Sequence, residues 1–140
     1  GLDARPGETV SYSPITAYSV LGEVVRRLDG GERSLRQILA DDIFTPLDMK
    51  DTALGVRPDL AARKVPIVVR DRREGLFPPE AIEGFNTLLQ ADAEIPGGGG
   101  LATASDLFRF AEMLRRGGEL DGARILSPAI VRLATTNQTG

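Results

Sequence analysis

Apolar residues recur at the spacing of an amphipathic helix in four stretches of the chain. The first stretch ends at Asp29-Gly30-Gly31, a sequence that favours a helix terminus. Its apolar face consists of Ala17, Leu21, Val24, Val25 and Leu28. The second stretch opens with Ser34 and Gln37, which are spaced as a capping box, and Pro46 should end or bend that helix near Phe44. The pattern therefore predicts two helices in the first third of the sequence.

Two further helices are predicted near the other end of the chain. Thr103 and Asp106 are spaced as the N-cap and N3 residues of a second capping box, and Gly117-Gly118 marks the end of that helix. Its apolar positions are Leu107, Phe110, Ala111 and Leu114. In the last helix Ser127 is the N-cap and Pro128 takes the first helical position. The apolar face of that helix consists of Ile130, Leu133 and Ala134.

The region between these two pairs of helices, residues 55–100, is less regular. The sequence KVPIVVR (residues 64–70) predicts a short strand, and Pro66 confines it to the edge of a sheet because proline has no backbone donor. A weaker helix is expected from Glu80 to Leu89. The predicted fold class is therefore mainly α with at most minor β, in a single domain over residues 1–140.

Composition and charge exclude several classes of protein. The 140 residues are 41% hydrophobic and 26% charged, which is ordinary for a globular domain and argues against disorder. The formal net charge of -3 gives no general attraction for nucleic acid or anionic lipid, so we expect no nucleic-acid partner. No run approaches the roughly 20 apolar residues of a membrane span. These properties do not indicate a cellular compartment.

The sequence contains no cysteine and no histidine. The absence of cysteine excludes a disulfide framework, thiolate catalysis and a cysteine-based zinc site. The absence of histidine removes the usual general base, the Ser-His-Asp triad and the commonest metal ligand. Nucleophilic chemistry here would need a lysine, a tyrosine or a carboxylate as its base, and the lysines are Lys50 and Lys64. We therefore expect no metal and no cofactor.

Tyr12 is the candidate catalytic residue because of the sequence around it. On spacing alone, a buried tyrosine with a satisfied hydroxyl is the ordinary interpretation. Three segments then follow in order: PGETVSYS (residues 6–13) ahead of an amphipathic helix, IFTPLDMKDTALG (43–55) and PGGGGLATASDLFRFAEMLRRGG (96–118). Together they resemble the middle of serine β-lactamase-like hydrolases. This superfamily includes class C β-lactamases, D-Ala-D-Ala carboxypeptidases (penicillin-binding proteins) and related esterases.

The resemblance implies a fold, an activity and a role for Tyr12. The implied fold is the helical segment of a β-lactamase/penicillin-binding-protein-like α/β fold, and the implied activity is cleavage of amide or ester bonds through a serine acyl-enzyme. Tyr12 corresponds to the tyrosine of the family's Tyr-x-Asn motif, which belongs to the catalytic centre. A phenol with a pKa of about 10 is a poor base at neutral pH, but a neighbouring ammonium favours the phenolate. In the family that ammonium is the lysine of Ser-x-x-Lys, whose serine is acylated.

The sequence departs from the family's pattern at each of its three motifs. No serine of the sequence has a lysine three residues later. The serines are Ser11, Ser13, Ser19, Ser34, Ser105 and Ser127. The motif Lys-Thr-Gly or His-x-Gly does not occur, and Pro14 stands in place of the Asn of Tyr-x-Asn. We therefore expect an excised helical part of a larger hydrolase, inactive alone, whose partners are the rest of the parent chain and a small-molecule amide or ester substrate. The alternative is a non-catalytic helical protein-interaction module.

Other conspicuous residues have structural interpretations. Ser13 fits a turn or an N-cap, and Tyr18 fits a packing role with its hydroxyl near the surface. Gly97–Gly100 lacks the lysine that a P-loop requires, so we expect a tight backbone turn leading to the Thr103 cap. The resemblance implies that this turn lies close to the active-site side.

Two charged clusters are interpreted as surface features. The first alternates in sign and consists of Arg70, Asp71, Arg72, Arg73 and Glu74. Because no aromatic residues alternate with these arginines to stack bases, a solvated loop is expected there. The pairs Asp41-Asp42 and Asp48/Asp51 do not fit the calcium-loop pattern D-x-[DN]-x-[DN]-G, so they are expected on helix surfaces and turns.

Overall fold

The computed structural model describes residues 5, 14–71, 73, 75 and 77–137, and these residues are mostly helical. The α-helices are α1 (Pro14–Leu28), α2 (Leu35–Leu39), α3 (Pro79–Leu88), α4 (Ala104–Arg115) and α5 (Pro128–Thr135). A π-helical turn (Ala40–Phe44) follows α2 directly, and a 3-10 helix covers Pro58–Arg63. The prediction of a mainly α fold is confirmed, and all five predicted helices are present.

Two short antiparallel strand pairs account for the sheet structure of the described residues. β1 (Ala53–Leu54) pairs with β2 (Gly100–Leu101), which lies far away along the chain. β3 (Glu119–Leu120) pairs with β4 (Ala123–Arg124) across Asp121-Gly122, where both residues have positive φ as a two-residue hairpin loop requires. The prediction of minor β is confirmed. Neither pair was located in advance, because a two-residue strand has no alternation to detect.

The strand expected at residues 64–70 is not formed, and that prediction is wrong. The segment lies beside the Asn86 side chain of α3 rather than beside a second strand. Nδ2 of Asn86 donates to the carbonyl of Ile67 at 2.8 Å, and Oδ1 accepts from the N–H of Ile67 at 2.8 Å. One side-chain amide therefore satisfies both backbone groups that a neighbouring strand would have bound.

The predicted capping residues occupy the predicted helix ends. Ser34 forms the full capping box, since its Oγ accepts from the N–H of Gln37 at 3.2 Å and its own N–H donates to Oε1 of Gln37 at 2.8 Å. Ser127 caps α5 with its hydroxyl. Thr103 accepts from the N–H of Asp106 at 3.2 Å, but the carboxylate of Asp106 binds the segment before β1 instead of the cap. The capping box predicted for α4 is therefore only half formed.

The buried core lies between the segment that follows the π-helical turn, α4 and the β3–β4 hairpin. It consists of Leu47, Met49, Met113 and Leu120, of which Leu47 and Met113 are completely buried. Partly buried side chains packed against it are Ile43, Phe44, Phe110, Leu114 and Ile125. Full burial of one such side chain contributes roughly 1.5–3 kcal/mol. This cluster fixes α4 to the segment that precedes β1.

The apolar faces predicted for α1 and α5 are largely exposed, and the face predicted for α4 is only partly buried. On α1, Leu21 is exposed while Gly22 is buried. On α4, Leu107 is exposed, although it opens the predicted apolar stripe. On α5, Leu133 is exposed and the buried side chain is Val131. The helices are therefore placed as predicted along the chain, but their burial follows neighbours that periodicity does not identify.

Candidate functional site

Tyr12 and Ser13 lie outside the described residues, so their catalytic and capping roles remain predictions. α1 begins immediately after them, at Pro14. Tyr18, on the first turns of α1, is 52% exposed, in agreement with a position near the surface. The part of the candidate site that can be built from the described residues is therefore the Gly97–Gly100 turn and its surroundings.

The turn at Gly97–Gly100 is tight, as predicted. The N–H groups of Gly98 and Gly99 both donate to the carbonyl of Ile95, at 3.2 and 2.7 Å. A Cβ on Gly99 would lie 2.7 Å from that same oxygen, and a Cβ on Gly98 would lie 3.0 Å from the ring of Phe85. The close approach of backbone and ring leaves no room for a side chain at Gly99 and little at Gly98.

The segment around β1 lies directly beside this turn. Gly55, which follows β1, has a φ of +78° and donates its N–H to the carbonyl of Gly99 at 2.8 Å. The next N–H, that of Val56, donates to the carbonyl of Gln90 at 3.1 Å. All residues from Thr52 to Val56 are buried. The glycine turn is consequently hydrogen-bonded to a well-buried segment.

The carboxylate of Asp106 links the start of α4 to the residues before β1. Although it is a charged residue, Asp106 is only 6% exposed. Its Oδ2 accepts a hydrogen bond from the Thr52 hydroxyl and another from the backbone N–H of Asp51, both at 2.8 Å. A buried carboxylate is tolerated when its oxygens are hydrogen-bonded in this way. The approach to β1 and the helix that follows β2 are thereby tied together.

A cavity of about 690 Å³ opens beside β1 and β2. Its apolar wall includes Phe44, Leu60 and Phe110, and its wall on the side of the turn includes Gly100 and Thr103. The charged residues that line it are Asp51, Arg57, Arg63 and Lys64. Apolar walls with a few polar groups are typical of small-molecule sites of this size. The glycine turn and the start of α4 thus border the concave surface on this side of the molecule.

The arginines of this cavity are paired with carboxylates. Asp51 accepts two hydrogen bonds from the Arg63 guanidinium, at 2.7 and 2.9 Å. This guanidinium holds the pKa of Asp51 below its usual range. Arg57 pairs with Asp59, and the pKa of Asp59 is lowered for the same reason. These charges therefore stabilise one another at the rim of the cavity.

Within the described part of the chain, both lysines have partners other than a serine. Lys50 is exposed and pairs with Asp48 at 3.0 Å. Lys64 donates from Nζ to the backbone carbonyls of Asn86 and Leu89, at 3.0 Å each, and so satisfies carbonyls at the end of α3. Both ammonium groups thus have structural partners, and neither is arranged as the amine of a Ser-x-x-Lys pair.

The remaining charged candidates lie on the surface. Arg70 and Arg73 are exposed, Arg73 pairs with Asp71, and Arg72 lies outside the described ranges. Asp41-Asp42 is exposed as predicted, on the π-helical turn. In the part of the chain that the structure covers, no group of three or more acidic side chains could hold a metal ion. The helices of the described residues are too short or too polar to cross a membrane.

Sequence reasoning missed three residues of this region. The sequence does not point to Arg36, whose guanidinium donates to the carbonyls of Leu54 and Ala93, or to Gly55, and it indicates Asp106 only as the second member of a capping box. The spacing of Thr103 and Asp106 correctly indicated the helix start, but the same spacing cannot tell whether the carboxylate caps its own helix or binds a distant segment. For Gly55, the available signal was a glycine directly after a short apolar stretch.

Comparison with known proteins decides the family. The family model described as Beta-lactamase matches residues 1–140. The chain belongs to the beta-lactamase family. The resemblance inferred from the sequence motifs is thereby confirmed.

Relatives of this beta-lactamase family chain are considerably longer. An uncharacterized protein of Mycobacterium tuberculosis (strain CDC 1551 / Oshkosh), MT1414, is 34% identical over 134 residues, which are 96% of this chain and 32% of the relative. The esterase/beta-lactamase LipL of Mycobacterium tuberculosis (strain ATCC 25618 / H37Rv) is 29% identical over 163 residues, covering 96% of this chain and 37% of LipL. The chain therefore spans about a third of the length of the curated relatives it matches.

A solved structure supports the fold. The crystal structure of a penicillin-binding protein homolog from Caulobacter crescentus matches with a TM-score of 0.70 and 28% sequence identity. The match covers 94% of this chain and 38% of the homolog. The described residues therefore adopt the mainly α part of a beta-lactamase or penicillin-binding-protein-like fold.

Proposed function

We propose that this chain is the helical part of a larger serine hydrolase, which cleaves amide or ester bonds through an acyl-enzyme. Membership of the beta-lactamase family supports the reaction type, and the names of LipL and of the penicillin-binding protein homolog support an ester or amide substrate. Tyr12 lies in the Tyr-x-Asn-like stretch directly before α1. Because the chain has no Ser-x-x-Lys, the nucleophile and its lysine belong to the remainder of the hydrolase.

Tyr12 shares proton transfer with that lysine in the proposed reaction. A tyrosine of ordinary pKa, about 10, is protonated at neutral pH and cannot act as a base. An ammonium within about 4–6 Å favours the phenolate, which takes the serine proton as the hydroxyl attacks the substrate carbonyl. The same proton then passes to the leaving amine or alcohol. Pro14 has no side-chain donor or acceptor and has no role in this scheme.

The orientation of α1 is the observation that carries the proposal of a larger protein. Its buried edge is at Gly22, where a Cβ would lie 2.8 Å from Leu35. The neighbouring Glu23 and Arg26 are partly buried and pair with each other at 2.8 Å. The apolar side chains lie on the exposed surface, namely Ile15, Tyr18, Val20, Leu21, Val24, Val25 and Leu28. Contiguous exposed apolar surface is typical of an interface, and we assign this face to contact with the rest of the hydrolase.

Acylation provides the test of this proposal. The 140-residue chain, incubated with a fluorescent penicillin or a p-nitrophenyl ester, is expected to be neither labelled nor active. Stoichiometric acylation of any of its serines would overturn the assignment of the nucleophile to another part of the protein. In the larger protein, Tyr12→Phe is expected to lower kcat/KM by roughly 10²-fold or more. Tyr18→Phe is the matched control and should leave kcat/KM unchanged.

The exposed face of α1 also favours a second candidate, a non-catalytic helical module that binds another protein through this face. The sequence of the gene on both sides distinguishes the two candidates. A Ser-x-x-Lys motif upstream together with Lys-Thr-Gly or His-x-Gly downstream is expected for the hydrolase. Absence of those motifs would leave the interaction module.

A further inference from the structure

The side chain of Arg36 joins three parts of the molecule that are distant in sequence. From α2, its Nε donates to the carbonyl of Leu54 at the end of β1, at 2.8 Å. Its Nη2 donates to the carbonyl of Ala93, at 3.0 Å, in the loop that leads to the glycine turn. Both acceptors are backbone carbonyls rather than carboxylates. A planar guanidinium with several fixed donors can bind two such carbonyls at once.

The absence of a side chain at Gly55 makes this arrangement possible. A Cβ at Gly55 would lie 2.5 Å from the carbonyl oxygen of Ala93 and 2.8 Å from Nη2 of Arg36. The positive φ of Gly55 directs its N–H to the carbonyl of Gly99, at 2.8 Å. Hydrogen bonds therefore connect the guanidinium, the end of β1 and the glycine turn, and no side chain at Gly55 separates them.

The glycine turn needs an external anchor for a physical reason. Consecutive glycines have more backbone freedom than other residues, and they have no side chains that could pack and fix their position. Hydrogen bonds to the backbone on either side must therefore hold the Gly97–Gly100 turn in place. The bond from Gly55 is one such anchor, and the bond from Arg36 to Ala93 fixes the preceding loop to the same segment.

We propose that Arg36 is a positioning residue, which acts through Leu54 and Ala93 to hold the Gly97–Gly100 turn at the edge of the substrate cleft. The functional half of this inference rests on the proposed hydrolase function. The structural half depends only on the hydrogen bonds described above. Loss of the guanidinium is expected to free the loop before the turn while the helical core stays folded.

Amide hydrogen exchange on the full 140-residue chain tests the structural half. Arg36→Met removes the donors and keeps an apolar stem, whereas Arg36→Lys keeps the charge but has no fork to bridge two carbonyls. Exchange at Gly55 and Val56 is expected to accelerate roughly tenfold or more in Arg36→Met and less in Arg36→Lys. Exchange at Gly118 and Ile125, whose N–H groups are bonded near the hairpin, should not change.

Arg27→Met is the matched control for these variants. Arg27 lies on the exposed surface of α1 and pairs with Glu23. This control should leave the exchange rates of all four amides unchanged. Unchanged rates at Gly55 and Val56 in folded Arg36→Met would overturn the inference. An equal acceleration at Gly118 would also overturn it, because Arg36 would then only stabilise the whole fold. If Arg36→Met does not fold, Arg36→Lys decides by the same comparison.

Kinetics of the larger hydrolase tests the functional half. A displaced turn is expected to raise KM for a small ester severalfold in Arg36→Lys, with a smaller change in kcat. Tyr12→Phe is expected to lower kcat instead. An unchanged KM in Arg36→Lys would overturn the role of Arg36 at the cleft. Full activity of Tyr12→Phe would overturn the proposed function of Tyr12, and the exchange result for Arg36 would still stand by itself.

Discussion

The hydroxyl of Thr52 donates a 2.8 Å hydrogen bond to the carboxylate of Asp106, and both residues are buried. The two positions are 54 residues apart. Thr52 immediately precedes β1, and Asp106 is in the first turn of α4, which follows β2. Together with the pairing of β1 with β2, this bond closes the long excursion between the two strands.

Asp106→Asn is expected to lower the free energy of unfolding by about 1–3 kcal/mol, because a neutral amide oxygen accepts the two hydrogen bonds more weakly than a carboxylate and the amide NH2 adds donors at a buried position. Urea denaturation measures the change. Thr52→Val should cost less, and the double variant should cost less than the sum of the two because one bond is shared. Thr45→Val, at an exposed position, is the control. A stability of Asp106→Asn within about 0.5 kcal/mol of the parent chain would contradict this account.

Gly99→Ala should destabilise the chain by about 1–3 kcal/mol, since the new Cβ would lie 2.7 Å from the carbonyl oxygen of Ile95. The neighbouring Gly100→Ala is the matched control, because a Cβ there has no heavy atom within 4 Å. The control should change the free energy of unfolding by no more than about 0.5 kcal/mol. Thermal or urea unfolding of both variants gives the comparison, and equal costs would show that the turn is not closely packed.

Met113→Ala tests where the core lies. Met113 is completely buried in the cluster with Leu47, so its truncation should cost about 2–5 kcal/mol through lost burial and the cavity left behind. Leu107, on the same helix, is 57% exposed, and Leu107→Ala should cost far less. From sequence periodicity alone, Leu107→Ala would be expected to cost more stability than Met113→Ala. A larger cost for Leu107→Ala in urea unfolding would therefore contradict the packing described above.

Glu112 makes stability dependent on acid pH. Hydrogen bonds from Arg115 and Arg116 lower its pKa from the ordinary 4.5 to about 2. Because the folded-state pKa is below the unfolded value, this stabilisation is fully present above about pH 4.5 and is lost as the pH falls toward 2. In Glu112→Gln the loss of stability over this window should be smaller than in the parent chain. Glu94→Gln, at an exposed acidic position, is the control, and urea midpoints between pH 7 and pH 2 provide the measurement.

The exposed apolar face of α1 is expected to cause self-association when it is not covered. Leu21→Glu should reduce concentration-dependent association in sedimentation experiments and change the free energy of unfolding by no more than about 0.5 kcal/mol. Val131→Glu is the contrasting variant, because Val131 is buried on α5 and a charge there should unfold the chain. Unfolding caused by Leu21→Glu would show that this face of α1 is part of the core.

The resemblance of the ordered motifs predicted the family, and the sequence predicted the helix positions well. Ser34 and Ser127 cap the helices they were expected to cap. The apolar faces were less informative, as Leu107 and Leu133 are exposed. The candidate site divides in the same way, because the glycine turn could be predicted from its composition while Arg36 could not. Nothing near Arg36 in the sequence indicates Ala93, which is 57 residues away.

The sequence by itself determined where the helices begin and end, that the glycine turn would be tight, and which family the chain belongs to. The first two depend on hydrogen bonds and dihedral preferences within a few residues, which neighbouring positions record directly. Only the tertiary structure decided which helix faces are buried, that residues 64–70 bind a helix side chain instead of a strand, and that Asp106 and Arg36 hold β1 at its two ends. Those outcomes depend on contacts between distant segments, because burial and hydrogen-bond partners are set by what the folded chain brings together.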